Sequence, residues 1–137
     1  MTPGYLAAMI TALDEHPVVA ASMRSDLLNT GWVRSARSLT QESALPFDFG
    51  APWAYGCTLG LRRDAFEAVG GFDPSLRPAG EDVDLCIRLA KAGYAIEFVT
   101  SAVLQYRFPS TLRGLFRQGR LYGLGHINVC APWLAVW

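Results

Sequence analysis

The chain has 137 residues, a length that fits one domain or part of a larger one. It is 51% hydrophobic and only 18% charged, which excludes intrinsic disorder and predicts that some apolar surface meets a partner, a membrane or another part of the same protein. Its 12 basic residues balance 12 acidic ones without a long basic run, and this excludes the broad electrostatic footprint of a nucleic-acid-binding protein.

The cysteines and the amino terminus indicate the cellular location of the protein. Cys57, Cys86 and Cys130 are widely spaced and form no C-x-x-C pair, so the sequence predicts neither a zinc ribbon nor a disulfide framework. Reduced thiols suit a cytoplasmic location. The amino terminus lacks the basic region of a signal peptide, and no apolar run reaches the ~20 residues of a membrane span.

In chain order, the first third predicts a helix, a buried strand and an irregular segment. Thr2 and Pro3 are typical of a helix N-cap and first helical position, and apolar residues follow at helical spacing as far as residue 13. The short β-branched run at 18–22 predicts a buried strand. The polar stretch 24–46 predicts a long loop or a broken helix, which is either functional or a mobile surface segment.

The rest of the chain alternates between extended and helical patterns. Residues 52–61 predict an extended segment, and Gly60 within it marks a close approach of another backbone or a ligand. A short helix that Asp64 can cap follows. Next come a helix that begins at residue 80 or 81 and ends at Ala92, strands at 95–99 and 102–108, and a last helix that Ser110 can cap; this alternation predicts an α/β architecture.

Three carboxylates stand together at the start of the helix that ends at Ala92. On a helical wheel Glu81 and Asp84 share a polar face with Arg88, where capping and the helix dipole account for them. Asp82 falls instead in the sector of the apolar residues. That position predicts a carboxylate that points into a cleft, where it can take a proton from a hydroxyl group.

Asp82 and Asp84 also have the form D-x-D, a pattern that binds divalent cations in sugar-nucleotide enzymes. Residues two apart on a helix project ~200° from each other, so the two carboxylates do not readily share one ion. The sequence therefore predicts no metal site at this pair.

Three motifs in a fixed order carry a resemblance to a known family. They are GLRR at 60–63, GGFD at 70–73 and EDVDLCIR at 81–88. With these spacings the stretch resembles the second half of the family 2 glycosyltransferases, which have the GT-A fold. The resemblance covers about residues 2–124.

The resemblance implies a partial GT-A fold of the α/β class that lacks the N-terminal nucleotide-binding half. On this basis we expect residues 1–125 to form the C-terminal half of a glycosyltransferase domain. Residues 126–137 are expected to form an apolar tail, to which the resemblance assigns no structure.

The resemblance also implies a reaction and roles for individual residues. The reaction is inverting transfer of a sugar, of the hexosyltransferase type, with Asp82 as the general base and Glu81 as the residue that orients the acceptor. Further residues are implied to lie near the donor sugar or the acceptor: Trp53, Gly56, Cys57 and Thr58. The indole of Trp53 equally fits a place in the hydrophobic core.

The implied partners are a nucleotide-sugar donor and a glycan or lipid acceptor in glycan biosynthesis. Full-length relatives are expected to use Mg²⁺ or Mn²⁺, with ligands in the absent half, so this chain is expected to bind no metal alone. Without that half or a protein partner, the isolated chain is expected to be inactive. A cytoplasmic location is expected, with association at the inner face of the membrane as an open alternative.

Two departures from the family pattern bear on the site. Tyr106 stands about where many relatives carry a histidine, so the metal or phosphate role of that histidine does not transfer. Arg117, Gln118 and Arg120 only loosely match a motif of processive synthases and are expected to be solvated. The competing hypothesis is a non-catalytic fragment or binding module that docks on a partner through apolar surface.

Overall fold

The computed structural model of the protein describes residues 1–29, 31–36, 41–48, 50–76 and 79–134, without the side chains of residues 130 and 132–134. The helices of this part are α1 (Tyr5–Glu15), α2 (Gly31–Ala36), α3 (Arg63–Ala68), α4 (Glu81–Lys91) and α5 (Leu112–Leu134). The strands are β1 (Val18–Arg24), β2 (Phe47–Asp48), β3 (Ala51–Pro52), β4 (Leu59–Leu61) and β5 (Glu97–Gln105). A 3₁₀ turn, Gly56–Thr58, precedes β4.

Strand β1 is the centre of a mixed sheet with the order β4-β1-β5. It pairs antiparallel with β4, where Val19 lies opposite Gly60, and parallel with β5, where Ala20 lies opposite Phe98. All of β1 except Arg24 is buried, because side chains on both of its faces meet covering helices. A separate hairpin joins β2 and β3.

The two faces of the sheet carry different apolar clusters. On one face α1 packs against the strands through Tyr5, Met9, Val19, Ala21 and Ala102. On the other face α3 and α4 pack against the neighbouring β1 residue, through Val18, Ala65, Leu85 and Leu89. Because consecutive strand residues point to opposite faces, the single run VVAA supplies both layers. The predicted α/β architecture and the buried strand at 18–22 are confirmed.

Other groups approach Gly60 closely, as predicted, but these groups are side chains. A methyl group added there would lie 2.8 Å from Val19 Cγ2 and 3.1 Å from the Met9 methyl carbon. The predicted approach of a backbone or ligand is therefore corrected to packing of α1 over the edge of the sheet.

Several element boundaries differ from the predictions. Helix α1 begins at Tyr5, because the Thr2 amide and hydroxyl both donate to the Val103 carbonyl, at 3.1 and 3.3 Å, instead of capping the helix. The strands predicted at 95–99 and 102–108 are one strand, β5, with an irregular register opposite Ala21 and Ser22.

The caps of the short and the last helix also differ. In α5 the Thr111 hydroxyl, not that of Ser110, accepts from the Gly114 amide at 3.1 Å. In α3, Asp64 is the second helical residue and accepts from the adjacent Ala65 amide at 2.9 Å rather than standing at the N-cap.

The stretch predicted as a loop or broken helix contains α2, while residues 30 and 37–40 lie outside the described residues. Helix α5 crosses position 126 without a break. The domain boundary between residues 125 and 126 stays a prediction.

Among the described residues, no helix combines the length and the hydropathy needed to cross a membrane.

Candidate active site

A cleft of about 470 Å³ opens beside the first turn of α4. Its walls come from the 3₁₀ turn, the residues before α4, the segment that follows β5, and α5. Aromatic rings supply much of the lining: Trp53, Tyr55, Tyr106, Phe108 and Tyr122. Glu81 and Asp82 add two carboxylates, and His126 adds an imidazole.

Asp82 is held in this cleft by two backbone amides. Its Oδ2 accepts from the Gly56 N–H at 2.9 Å, and its Oδ1 accepts from the Val83 N–H at 2.9 Å. The side chain is half-buried, and each oxygen keeps a further lone pair. The predicted position of Asp82 in a cleft agrees with this geometry. A fixed, partly accessible carboxylate can accept a proton from a bound hydroxyl.

Gly56 approaches this carboxylate closely. A methyl group added at Gly56 would lie 3.4 Å from Asp82 Cβ and 3.6 Å from Oδ2. That is ordinary contact, so alanine would fit, but a larger side chain would reach into the cleft. The absence of a side chain at Gly56 therefore leaves one side of the Asp82 carboxylate uncovered.

The turn that carries Gly56 is fixed by Gln41, a fully buried residue. The Gln41 amide nitrogen donates to the Ala21 carbonyl at 2.8 Å and to the Thr58 hydroxyl at 2.7 Å, while its oxygen accepts from the Tyr55 N–H at 2.9 Å. The Thr58 hydroxyl donates to the Tyr55 carbonyl at 2.7 Å. This network joins the turn to β1.

The other predicted substrate residues divide between the cleft and the interior. Thr58 is fully buried and is absent from the described lining of the cleft, so it supports the turn from within. Cys57 lines the cleft, and burial raises the pKa of its thiol. Trp53 also lines the cleft, in edge-to-face contact with Tyr55 at 5.1 Å between ring centroids, which favours the cleft over the core for its indole.

The remaining acids of the cluster behave differently from one another. Glu81 is exposed at the rim of the cleft, as the wheel predicts. Asp84 is 9% exposed, so its predicted place on the solvated face is wrong. The predicted pair with Arg88 does form, at 2.6 Å, and Arg88 also donates to the Val69 carbonyl at 2.6 Å. The end of α3 therefore covers the face of α4 that the helical wheel predicts to be exposed to solvent.

The D-x-D pair consequently has divided partners: Asp82 is bonded to backbone amides and Asp84 to a guanidinium. Within the described ranges, no group of three or more His, Cys, Asp or Glu side chains is arranged to hold a metal ion. The described residues of this pair therefore do not fit a shared divalent cation.

Helix α5 brings residues into the cleft that the sequence did not predict. The Gln118 amide donates to the hydroxyls of Tyr106 and Tyr122, at 3.0 and 3.3 Å, and His126 lies farther along the same lining. The expectation that Arg117 and Arg120 are solvated is confirmed, but the Gln118 side chain is turned inward. The spacing of residues 118, 122 and 126 on one helical face was the available signal.

Two close backbone contacts seat α5 on the start of α4. A methyl group at Gly125 would lie 2.5 Å from the Ala79 carbonyl oxygen, and one at Gly80 would lie 2.8 Å from the Gly125 carbonyl oxygen. Gly80 also has a φ of 102°, which disfavours any side chain there. Two glycines thus let α5 close one side of the cleft.

Comparison with known proteins gives the family. Residues 16–137 match the family model described as Glycosyl transferase family group 2. The chain belongs to this family, and the resemblance drawn from the three motifs is confirmed. No solved structure gives a significant match.

Curated relatives are similar over the central part of the chain. The N-acetylglucosaminyl-diphospho-decaprenol L-rhamnosyltransferase of Mycobacterium tuberculosis is 40% identical over 90 residues, which are 64% of this chain and 29% of that protein. The O-antigen chain rhamnosyltransferase of Salmonella anatum is 34% identical over 73 residues, 53% of this chain and 22% of the relative.

A third relative, the pre-mycofactocin glycosyltransferase of Mycobacterium tuberculosis, is 37% identical over 62 residues, 45% of this chain and 13% of the relative. The matched segment thus spans less than a third of the length of each of these relatives.

Proposed function

We propose that this chain supplies the acceptor-side, catalytic-base part of an inverting glycosyltransferase. The reaction would move a sugar from a nucleotide-sugar donor to a hydroxyl of a glycan or lipid acceptor. The observation that carries the proposal is the carboxylate of Asp82, which two backbone amides fix in an aromatic-lined cleft. Family membership supports sugar transfer in general.

In the proposed step, an acceptor hydroxyl oxygen attacks the anomeric carbon of the donor sugar. A new carbon–oxygen bond forms as the bond to the diphosphate breaks, and the nucleotide diphosphate leaves with the bonding electron pair. The hydroxyl proton passes to Asp82. Attack on the face opposite the leaving group inverts the anomeric configuration. The other expected site residues keep proposed supporting roles.

Among these roles, Glu81 would accept a hydrogen bond from a second acceptor hydroxyl, and its exposed position at the rim of the cleft suits this. Trp53 would pack against a sugar C–H face. Gly56 and Cys57 would line the path to Asp82, and Thr58 would act indirectly by holding their turn. As the family resemblance implies, a nucleotide-binding half outside this segment would hold the donor and any metal that it needs.

The names of the relatives suggest the first substrates to test. Two of them are rhamnosyltransferases, so an activated rhamnose belongs in any panel of nucleotide-sugar donors. One acts, by its name, on N-acetylglucosaminyl-diphospho-decaprenol, which makes lipid-linked N-acetylglucosamine a reasonable acceptor.

The decisive variant is Asp82→Asn, assayed for sugar transfer in the longest natural polypeptide that contains this segment. Removal of a general base is expected to lower turnover by roughly 10²-fold or more while the fold is retained. Glu97→Gln, an exposed carboxylate on β5 outside the cleft, is the matched control and should leave turnover unchanged. Near-wild-type turnover in Asp82→Asn would remove the base assignment.

A second candidate is a non-catalytic module that docks on a partner or on a membrane surface. Exposed apolar side chains favour it: Leu6 and Ile10 on α1 are 65% and 60% exposed, and Leu112 and Phe116 on α5 are each 75% exposed. Titration of the purified chain with nucleotide-sugars and Mn²⁺ separates the candidates. Saturable, specific binding without a partner would count against the module.

A further inference from the structure

Two tyrosine hydroxyls meet at the side of the cleft that α5 closes. Tyr106 follows β5 and Tyr122 lies in α5, and their hydroxyl oxygens are 3.3 Å apart. Both rings line the same cleft as Asp82. The pair is therefore available to whatever ligand the carboxylate meets.

Gln118 and Asn29 hold this pair in place. The Gln118 amide nitrogen donates to both hydroxyls, at 3.0 Å to Tyr106 and 3.3 Å to Tyr122. The buried Asn29 donates to the Tyr106 carbonyl at 2.7 Å and accepts from the Phe108 N–H at 2.8 Å. Backbone and hydroxyl positions of Tyr106 are thus both fixed before any ligand binds.

The phenol pair keeps hydrogen-bonding capacity for a ligand. Each phenol has a single hydrogen, and both hydroxyl oxygens already accept from Gln118. One phenol can donate to the other. The Gln118 amide oxygen is buried without a hydrogen-bond partner among the described residues, so the same amide turned over would instead accept from the phenols. In both placements these three side chains leave at least one phenol lone pair unused. Burial and the neighbouring Tyr106 raise the pKa of Tyr122 still further above neutral pH.

The rest of the lining indicates the class of ligand that the pair would meet. The lining contains the carboxylates of Glu81 and Asp82 beside its aromatic rings. These two carboxylates repel a diphosphate, whose usual partners are cationic side chains. A neutral sugar fits better, since its C–H faces pack on aromatic rings and its oxygens exchange hydrogen bonds with hydroxyl and carboxylate groups.

We propose that the hydroxyl pair of Tyr106 and Tyr122 is an acceptor-selecting subsite, which forms a hydrogen bond with a hydroxyl group of a neutral acceptor sugar. A different hydroxyl of the same sugar would face Asp82. This inference rests on the proposed glycosyltransferase function and names its acceptor class, an uncharged sugar unit. Gln118 is a positioning residue, because it acts through the two tyrosines.

The test is binding of methyl glycosides to the 137-residue chain, measured by calorimetry and saturation-transfer NMR. The probes are methyl glycosides of rhamnose, N-acetylglucosamine, glucose and galactose, with the monodeoxy analogues of any that bind. We expect at least one glycoside to bind. Tyr122→Phe and Tyr106→Phe should each weaken it roughly three- to tenfold, the scale of one hydrogen bond.

The matched control is Tyr94→Phe, because Tyr94 packs near Leu85 and Leu89, away from the cleft. It makes the same chemical change and should leave glycoside affinity unaltered. One deoxy analogue should have the same affinity for the wild type as the parent glycoside has for Tyr122→Phe. The affinity of that analogue should not change further when Tyr122 is replaced by phenylalanine. Circular dichroism of each variant checks that the fold is kept.

Gln118→Met tests the positioning role. It should weaken the glycoside in the wild-type background and have no added effect when both tyrosines are phenylalanine, since coupled residues are not additive. A merely structural role would give the same loss in both backgrounds.

The proposal is overturned if no methyl glycoside binds, if the tyrosine variants bind as the wild type does, or if inorganic diphosphate occupies the cleft in preference. Asp82→Asn distinguishes these failures from that of the proposed function. Normal turnover in Asp82→Asn would remove the base while leaving the tyrosine-dependent binding of glycosides intact.

Discussion

At the scale of single residues, Asp82 and Asp84 share their chemistry but not their surroundings. The Asp82 carboxylate faces the cleft and accepts from backbone amides. The Asp84 carboxylate is buried against Arg88, which also binds the carbonyl of Val69 at the end of α3. Asp82 is therefore suited to function, whereas Asp84 joins α4 to α3.

This difference predicts that the same substitution destabilises the fold far more at Asp84 than at Asp82. Asp84→Asn leaves the largely buried Arg88 guanidinium without its counter-charge and should lower the free energy of unfolding by about 2–3 kcal/mol. Asp82→Asn should change it by less than about 1 kcal/mol, since it loses only hydrogen bonds at a half-buried site. Urea unfolding of the two variants measures both, and equal losses would contradict the assignment.

Cys86 gives a prediction for alkaline pH. Burial raises the pKa of its thiol from 9.0 to about 11. Between these values the unfolded chain loses a proton that the folded chain keeps. The free energy of unfolding should therefore fall by about 1.4 kcal/mol per pH unit over this window, while the stabilisation is complete below pH 9.

The comparison with Cys86→Ala isolates this contribution. Other groups with raised pKa values, such as the Cys57 thiol, remain in both proteins. The wild type should lose stability more steeply than the variant between pH 9 and 11 in urea titrations. Parallel pH profiles would show that Cys86 is ionised equally in both states.

At the scale of elements, the cleft exists because α5 packs on the amino end of α4. The contact is made by Gly125 and Gly80, whose added methyl groups would meet carbonyl oxygens at 2.5 Å or 2.8 Å. Tyr122 and His126 reach the cleft only because α5 is seated there. Gly80 and Gly125 therefore decide whether α5 can close this side of the cleft.

Two substitutions in α5 separate this effect from helix propensity. Gly125→Ala should cost about 2–3 kcal/mol, because packed backbones must move apart, as overpacking generally requires. Gly123→Ala has nothing within 4 Å of the new methyl group and should stabilise by about 0.5–1 kcal/mol. Thermal unfolding gives the signs, and stabilisation in both variants would contradict close seating of α5.

At the scale of the whole molecule, apolar side chains face both the core and the solvent, as helix α1 shows. On α1, Met9 is buried against the sheet while Leu6 and Ile10 are exposed on the outer surface. Apolar side chains of α1 thus form part of the core on one side and an exposed surface on the other. That surface contributes to the high hydrophobic fraction of the chain.

The two sides of α1 should respond differently to a polar residue. Leu6→Ser combined with Ile10→Ser should change the free energy of unfolding by less than about 1 kcal/mol, since both sites are exposed. Met9→Ser should cost about 2–5 kcal/mol by opening the core and burying a hydroxyl. If the double variant unfolded as Met9→Ser does, α1 would be covered on both sides.

The sequence by itself determined the family, the buried central strand and the helix that carries the acidic cluster. These depend on local patterns: ordered motifs, a β-branched run, and apolar residues at helical spacing. The position of Asp82 followed from the same helical spacing, which is why the wheel separated it from Glu81.

Only the tertiary structure decided that Asp84 is buried, that Thr58 supports the turn from within, and that Gln41, Gln118 and Tyr122 contribute to the site. Each depends on contacts between residues far apart in the chain, such as Gln41 with Thr58 or Tyr106 with Gln118. Burial and hydrogen-bond partners depend on which segments pack together, and the local periodicity of the sequence does not specify that packing.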